Sequence, residues 1–137
     1  MSTHYSDIAS ALDTQLNLLG ETVAWENRHF TPPTSGLYLM QFNIPASTTQ
    51  ADLGTNGTDY TVGIYQVSVV GVFGKGKAAI YTLSDSVADQ FKRGTVMTYN
   101  GTTVRVKTVE RAPMLIDEQS AIIPISVTYE TYTTARA

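Results

Sequence analysis

The sequence lacks cysteine, has few charges and contains no long apolar run. Without cysteine there are no disulfides, no thiolate metal ligands and no cysteine nucleophile. Charged residues make up 15% of the 137 residues and the formal net charge is -3, which is too weak to indicate nucleic-acid binding by electrostatics. No apolar run approaches the roughly 20 residues of a membrane span. The first residues also lack the features of a secretory signal, so we expect a chain that is cytosolic when made.

Signals for catalysis are equally scarce. His4 and His29 are the two histidines, and neither has a carboxylate at metal-ligand spacing. The sequence contains no Gly-x-Ser-x-Gly nucleophile motif. We therefore predict no catalytic residue, no metal site and no cofactor, and we expect the protein not to be an enzyme.

The longest β-type run covers residues 60–73, and a helical pattern follows it after two glycines. Both alternating sets of side chains in the run are apolar, which is typical of a strand buried on both faces. We therefore expect this strand to lie in the middle of a sheet, covered on both sides. The two sets are Tyr65, Val67 and Val69 on one face and Val62, Ile64 and Val70 on the other.

Two segments have the apolar spacing of amphipathic helices, residues 4–19 and 77–92. Gly20 and Gly94 follow them as natural stops. The predicted apolar faces are Ile8, Leu12, Leu16 and Leu19 in the first helix and Ile80, Leu83, Val87 and Phe91 in the second. Asp13, Gln15 and Asn17 form the predicted solvated side of the first helix.

Further strands are expected at residues 23–25, 37–44 and 121–132. Asn100-Gly101 is a strong hairpin signal that pairs Met97 with Val104. In that register, Met97, Tyr99, Val104 and Val106 share the core face. Pro124 cannot donate to a strand ladder, so the start of the last strand is expected at a sheet edge or outside the pairing. These elements predict an α+β fold over residues 1–137, a single domain with a mixed, mostly antiparallel sheet packed with two helices.

Two long segments without a regular pattern, residues 45–59 and 110–120, are interpreted as a loop and a connector. Loops of this length often dock on partners, although the first one could also be a long hairpin with a disordered tip. Both alternatives remain open. The candidate assembly residues of the first loop are Ser47, Thr48, Gln50, Leu53 and Asn56.

The candidate flexible loop consists of Gly74, Lys75, Gly76 and Lys77, between the central strand and the second helix. This context is similar to that of a phosphate-binding loop, but the P-loop spacing fails and Ala78 stands where a hydroxyl residue is needed. A mobile turn is the favoured interpretation. The alternative function is a small anion- or nucleotide-binding domain that uses this loop.

Cationic side chains also gather around the second helix and the hairpin. They form either a weak basic patch or a solvated face, and they include Lys92, Arg93, Arg105 and Lys107.

Seven short segments, spread over nearly the whole chain, stand in an order that a known family shares. None of them lies in residues 131–137. In chain order they are the helix beginning Tyr5-Ser6-Asp7-Ile8, Ala24-Trp25-Glu26-Asn27, Phe30-Thr31-Pro32-Pro33, Leu53-Gly54-Thr55-Asn56-Gly57, Gly63-Ile64-Tyr65-Gln66-Val67, Gly74-Lys75-Gly76 and Phe91-Lys92-Arg93-Gly94-Thr95.

This ordered set resembles the phage tail-terminator (tail completion) proteins of long, flexible-tailed phages. The resemblance implies a domain with two helices packed on a sheet, and six copies that close into a ring at the head–tail junction of the virion. The ring caps the tail tube, ends its polymerisation and offers a surface to the head-completion or connector proteins. The implied partners are further copies of the chain and the tail tube protein, with DNA passing through the lumen without sequence-specific binding. No membrane, cofactor or catalytic residue belongs to this function.

Overall fold

In the part of the chain that the structure describes, one eight-stranded sheet carries two helices on one of its faces. The computed structural model describes residues 4–33, 36–44, 48–50, 58–74 and 77–134. The helices are α1, His4–Asn17, and α2, Ala78–Gln90. The strands are β1, Val23–Ala24; β2, Tyr38–Ile44; β3, Thr48–Gln50; β4, Thr58–Val72; β5, Val96–Tyr99; β6, Thr102–Arg111; β7, Leu115–Asp117; and β8, Ser120–Thr134.

The strand order is β1-β2-β4-β8-β6-β5, with β3 paired to the first part of β4 and β7 paired to the first part of β8. β1 runs parallel to β2, and every other described pair is antiparallel. The predicted α+β class, with two helices on a mixed and mostly antiparallel sheet, is therefore confirmed.

β4 and β8 form the long axis of the sheet. Each has 15 residues, and they pair along their whole length from Thr58↔Thr134 to Val72↔Ser120. Fifteen residues at the rise of an extended strand span roughly 50 Å. β4 lies between β2 and β8, so the predicted central position of this strand is confirmed.

The core lies between the sheet and the helices. The predicted apolar stripes are buried there in both helices, apart from Leu19, which is half-buried beyond the end of α1. From the sheet, one alternating set of β4 and β8 side chains meets them. Within the described ranges, neither helix is both long and apolar enough to span a membrane. The main core side chains are Ile8, Leu12, Leu16, Ile80, Leu83, Val87, Phe91, Tyr65, Val67, Val69, Ile123, Ile125 and Val127.

The opposite face of the sheet carries neither helix, which corrects the expectation that β4 is covered on both faces. Val62 and Ile64 are half-buried on this helix-free face, and only its end near Val70 is buried. Tyr38 is the partner of Val70 on β2, and its ring packs at a tilt against the Phe30 ring, with 4.8 Å between the two ring centres. A chain with two helices can cover one face of a long sheet, and an apolar residue on the second face then stays partly exposed.

The Asn100-Gly101 hairpin forms in the predicted register, with Met97 opposite Val104. Both turn residues have positive φ, 50° and 82°, as this two-residue turn requires. Tyr99 is the exception to the predicted core face, because it is 45% exposed. It is the last residue of the short edge strand β5 and lies beside the Asn100-Gly101 turn.

The last part of the chain contains more strand than predicted. The segment interpreted as a connector includes the end of β6 and all of β7. Pro124 lies in the interior strand β8 opposite Ser68, so its expected place at an edge or outside the pairing is wrong. Pro124 faces the gap between β6 and β7, where its carbonyl accepts from the Ala112 N–H at 2.9 Å. Its nitrogen faces the same gap, so the missing N–H removes no hydrogen bond between paired strands, and the proline is tolerated.

Candidate functional site

The predicted flexible loop lies where β4 turns into α2. Gly74 adopts a φ of +94°, which favours glycine, while Lys75 and Gly76 lie outside the described residues. Lys77 is the N-cap of α2 and makes no side-chain cap hydrogen bond. Its ammonium lies 5.4 Å from the centre of the Tyr81 ring, so the cation is directed at its own helix. This geometry gives no support to an anion cradle.

The predicted assembly loop coincides in part with β3. Thr48 and Gln50 are strand residues that pair with Thr61 and Asp59, so this part of the segment is not a structureless loop. The other candidates, Ser47, Leu53 and Asn56, lie outside the described residues. The pairing of β3 with β4 agrees with the long-hairpin alternative. The two predicted sets of residues therefore flank opposite ends of β4 and do not form one site.

A groove of about 570 Å³ opens between α1 and the edge of the sheet formed by β1 and β2. One helix, the turn after β1 and the helix-side face of β2 contribute its walls. Most of the lining is polar or charged, with one large aromatic ring, that of Trp25. The lining residues are Ala9, Asp13, Trp25, Glu26, Asn27, Arg28, Gln41 and Asn43.

Three hydrogen bonds hold the walls of the groove in place. The Tyr65 hydroxyl donates to Oδ1 of Asp13 at 2.6 Å, which holds the carboxylate against β4. The backbone N–H of Glu26 donates to Oε1 of Gln41, and the backbone N–H of Asn43 donates to Oε1 of Glu26, both at 3.2 Å. Asn27 has a φ of 60°, a left-handed conformation that reverses the chain after Glu26. The turn is thereby tied to the edge of β2.

Two carboxylates, Asp13 and Glu26, and one arginine, Arg28, line the groove, so its formal charge is negative. Burial raises the pKa of Asp13 above its usual value; the hydrogen bond from Tyr65 partly offsets this, and the nearby Glu26 charge raises it further. Burial also raises the pKa of Tyr65, and the Asp13 charge adds to that effect. Two neighbouring carboxylates that repel each other favour an incoming cation or hydrogen-bond donor.

Two polar atoms of the groove remain available. Gln41 is only 4% exposed, and its Oε1 is used by Glu26. In the described part of the chain, neither its Nε2 atom nor Oδ2 of Asp13 makes a hydrogen bond. A buried amide donor without an acceptor is costly, so this lining is suited to contact with a partner group.

The groove carries no recognisable catalytic arrangement. Among residues 4–33, 36–44, 48–50, 58–74 and 77–134, no group of three His, Cys, Asp or Glu side chains could hold a metal ion. His29 is exposed on the turn side of the groove. What the arrangement can do is bind a cationic or hydrogen-bonding side chain.

Sequence reasoning misses the groove. The helical pattern places Asp13 on the solvated side of α1, because nothing in it indicates that a tyrosine 52 residues away lies beside the carboxylate. On β2, Gln41 stands between Met40 and Phe42, and this alternation by itself predicts a solvent-facing side chain, so the sequence contains no signal for a buried amide. A polar residue on the core side of a strand requires a partner.

The long axis ends in exposed aromatic and aliphatic groups. At the β3 end, the rings of Tyr60 and Tyr132 lie 4.9 Å apart, and the Tyr60 hydroxyl donates to Glu130 at 2.7 Å. Tyr132 is 61% exposed. At the other end, Phe73, Leu115 and Ile116 are each more than half exposed. Both ends therefore offer apolar surface, which is typical of sites that contact other proteins.

The two lateral edges of the sheet differ in charge. Glu21 and Glu26 are exposed on the β1 side, together with the groove carboxylate Asp13 and one cation, Arg28. On the β5 side the exposed charges are the cations Lys92, Arg93 and Arg105, with the exposed Asp89 nearby in the last turn of α2. Lys77 begins the opposite end of α2, roughly 20 Å away at the rise of a 13-residue helix, so it does not belong to this basic edge.

Comparisons with known proteins agree with this architecture. A family model described as phage tail terminator protein matches residues 7–129. One solved structure without a functional description has a TM-score of 0.74 and 27% identity, covering 90% of this chain and 92% of that chain. A chain from the virion of a native gene transfer agent particle has a TM-score of 0.61 and 15% identity, covering 98% and 99% respectively, which shows likeness of fold. No curated protein sequence matches.

Proposed function

The chain belongs to the phage tail terminator protein family, and we propose that copies of it form a hexameric ring that caps the tail tube. As a member of this family, it is a structural protein of the phage tail. The ring ends polymerisation of the tube and provides the surface to which the head-completion or connector proteins join. DNA passes through its lumen without sequence-specific binding. The observation that carries the proposal is the family match over residues 7–129.

The shape of the subunit supports a cap with two docking ends. A protein between tube and head must contact one partner at each end, and this subunit exposes apolar groups at both ends of the β4–β8 axis. Leu115 and Ile116 are 55% and 54% exposed at one end, and Tyr132 is 61% exposed at the other. The lateral edges, which differ in charge, remain available for contacts between copies.

The proposal is tested by adding the purified protein to polymerising tail tube protein. We expect tubes of limited length that carry a ring at one end in electron micrographs, and a hexamer mass by light scattering in solution or after release from tubes. Tubes of unchanged length with bare ends, together with a monomeric protein in both conditions, would contradict the proposal. A monomer in solution alone does not, since the tube end can template the ring.

Anion or nucleotide binding by Gly74 and Lys77 has no support in the geometry at the start of α2. The cation of Lys77 lies 5.4 Å from the centre of the Tyr81 ring, and Lys77 makes no side-chain cap hydrogen bond. Calorimetry with phosphate and nucleotides provides the check. Binding that Lys77→Ala abolishes would restore this alternative.

A further inference from the structure

The opposite edges of the sheet carry complementary groups. The β1 edge offers a groove lined by two carboxylates and one arginine, Arg28, and the β5 edge presents cations on the segment between α2 and β5. Within the described residues, none of Glu21, Glu26, Lys92 and Arg93 makes an ion pair. Each edge therefore has a charge that the subunit itself does not neutralise.

We propose that the groove lined by Asp13, Glu26 and Gln41 receives the Arg93 side chain of a second copy of this chain. This inference rests on the proposed ring and specifies the contact that closes it. Arg93 lies in the short segment between α2 and β5, and the N–H of the adjacent Gly94 donates to the Val106 carbonyl of β6 at 3.0 Å, so Arg93 stands at the β5 edge of the sheet. The groove opens at the opposite edge, formed by β1 and β2. The acidic edge of one copy thus meets the basic edge of the next.

The chemistry of the groove fits a guanidinium. Its planar set of N–H donors can reach two carboxylates at once, and Oδ2 of Asp13 and the exposed carboxylate of Glu26 are available. When the Arg93 side chain occupies the groove, the backbone carbonyl oxygens of its own segment come close as well and can accept from Nε2 of Gln41. The occupied groove would satisfy the buried amide and relieve the repulsion between Asp13 and Glu26.

The geometry of a ring requires two different surfaces on each copy. Contacts that close by rotation are heterologous, so a copy must offer one surface to its left neighbour and the complementary surface to its right neighbour. The β1 and β5 edges lie at opposite ends of the strand order. Opposite charges on these edges favour head-to-tail contact and disfavour like-to-like pairing.

Two charge-reversal variants test the contact. The first carries Glu21→Lys and Glu26→Lys, which makes both edges basic; Asp13 is kept because it accepts from Tyr65. The second carries Lys92→Glu and Arg93→Glu, which makes both edges acidic. We expect each variant alone to stay monomeric and an equimolar mixture to form rings in which the two alternate, as an even-numbered ring allows. Light scattering and electron microscopy, with and without tubes, measure the result.

Matched controls separate charge from fold. Asp117→Lys and Lys77→Glu make the same kinds of change at exposed positions away from both edges and should leave rings intact. Thermal unfolding verifies that each variant folds. If a reversal variant does not fold, Glu26→Gln and Arg93→Gln replace it, and each should lower the association constant at least about tenfold.

The outcomes distinguish this contact from the proposed function. Rings formed by each reversal variant alone, or by neither the variants nor their mixture while the wild type forms them, would overturn the contact and leave the ring intact. A wild type that forms no ring in solution or on tubes would overturn the proposed function and this contact with it.

Discussion

The hydroxyl of Tyr65 donates a 2.6 Å hydrogen bond to Oδ1 of Asp13, and this bond joins the middle of β4 to the first helix. Tyr65 is fully buried, and its ring lies 5.7 Å from the ring of Phe91 at the end of α2. One side chain therefore links the central strand to both helices, and its polar end forms the inner wall of the groove.

Replacing Tyr65 by Phe should destabilise the protein by about 1–3 kcal/mol, because the half-buried Asp13 carboxylate loses its donor while the ring packing is kept. Chemical denaturation measures the free energy of unfolding. Tyr81→Phe is the matched control, since Tyr81 is 44% exposed and its loss should change stability by less than about 0.5 kcal/mol. If both substitutions lowered the free energy of unfolding equally, the hydrogen bond from Tyr65 to Asp13 would contribute no more to stability than an exposed tyrosine hydroxyl.

The raised pKa of Asp13 predicts a pH dependence of stability. Between the unfolded and the folded pKa the folded state binds more protons, so the contribution of Asp13 is full below the ordinary aspartate pKa of 3.8 and is lost as pH rises through the folded pKa. Asp13→Asn keeps an acceptor for Tyr65 but does not titrate. The free energy of unfolding of the wild type, relative to that of this variant, should therefore fall as pH rises from below the unfolded pKa of Asp13 to above its folded pKa. If the unfolding free energies of the wild type and of Asp13→Asn changed in parallel with pH, this result would contradict the raised pKa of Asp13.

The parts of the fold that could be predicted are those with local signals. The hairpin register followed from Asn100-Gly101 alone, because two adjacent residues that tolerate positive φ fix the turn and the turn fixes the pairing. The helices followed from apolar spacing in the same way. Pro124 was misplaced because its tolerance depends on a gap between two strands that lie earlier in the chain.

The groove could not be predicted, since every contact that forms it is distant in sequence. The Asp13 carboxylate meets Tyr65 of β4, and the turn at Glu26 meets Gln41 and Asn43 of β2. No spacing rule connects these positions. The same holds for the opposite charges of the two sheet edges, which depend on strand order and not on the local pattern.

Gly63 should not tolerate alanine, because a Cβ there would collide with the Tyr129 ring and hydroxyl across the β4–β8 pair. Tyr129 is 2% exposed, so the ring has little room to move. Overpacking of this kind costs about 1–3 kcal/mol. Thermal or chemical unfolding of Gly63→Ala measures the loss.

A double substitution provides the control for this clash. Adding Tyr129→Leu removes the colliding atoms, so the cost of Gly63→Ala should be smaller in the Tyr129→Leu background than in the wild type. A double-mutant cycle compares the two. Additive effects would mean that another property of Gly63, such as its influence on strand conformation, sets the cost.

Leu53→Ser should leave the monomer folded and impair assembly on the tube, because the segment between β3 and β4 is interpreted as one that docks on partners. Leu18→Ser is the matched control: Leu18 is 71% exposed just beyond α1, and the change should affect neither property. We expect both variants to lie within about 0.5 kcal/mol of the wild type in unfolding free energy. Only Leu53→Ser should reduce the fraction of tubes that carry a ring. Loss of the folded state in Leu53→Ser would contradict the interpretation, since it would place Leu53 in the core and not at an assembly contact.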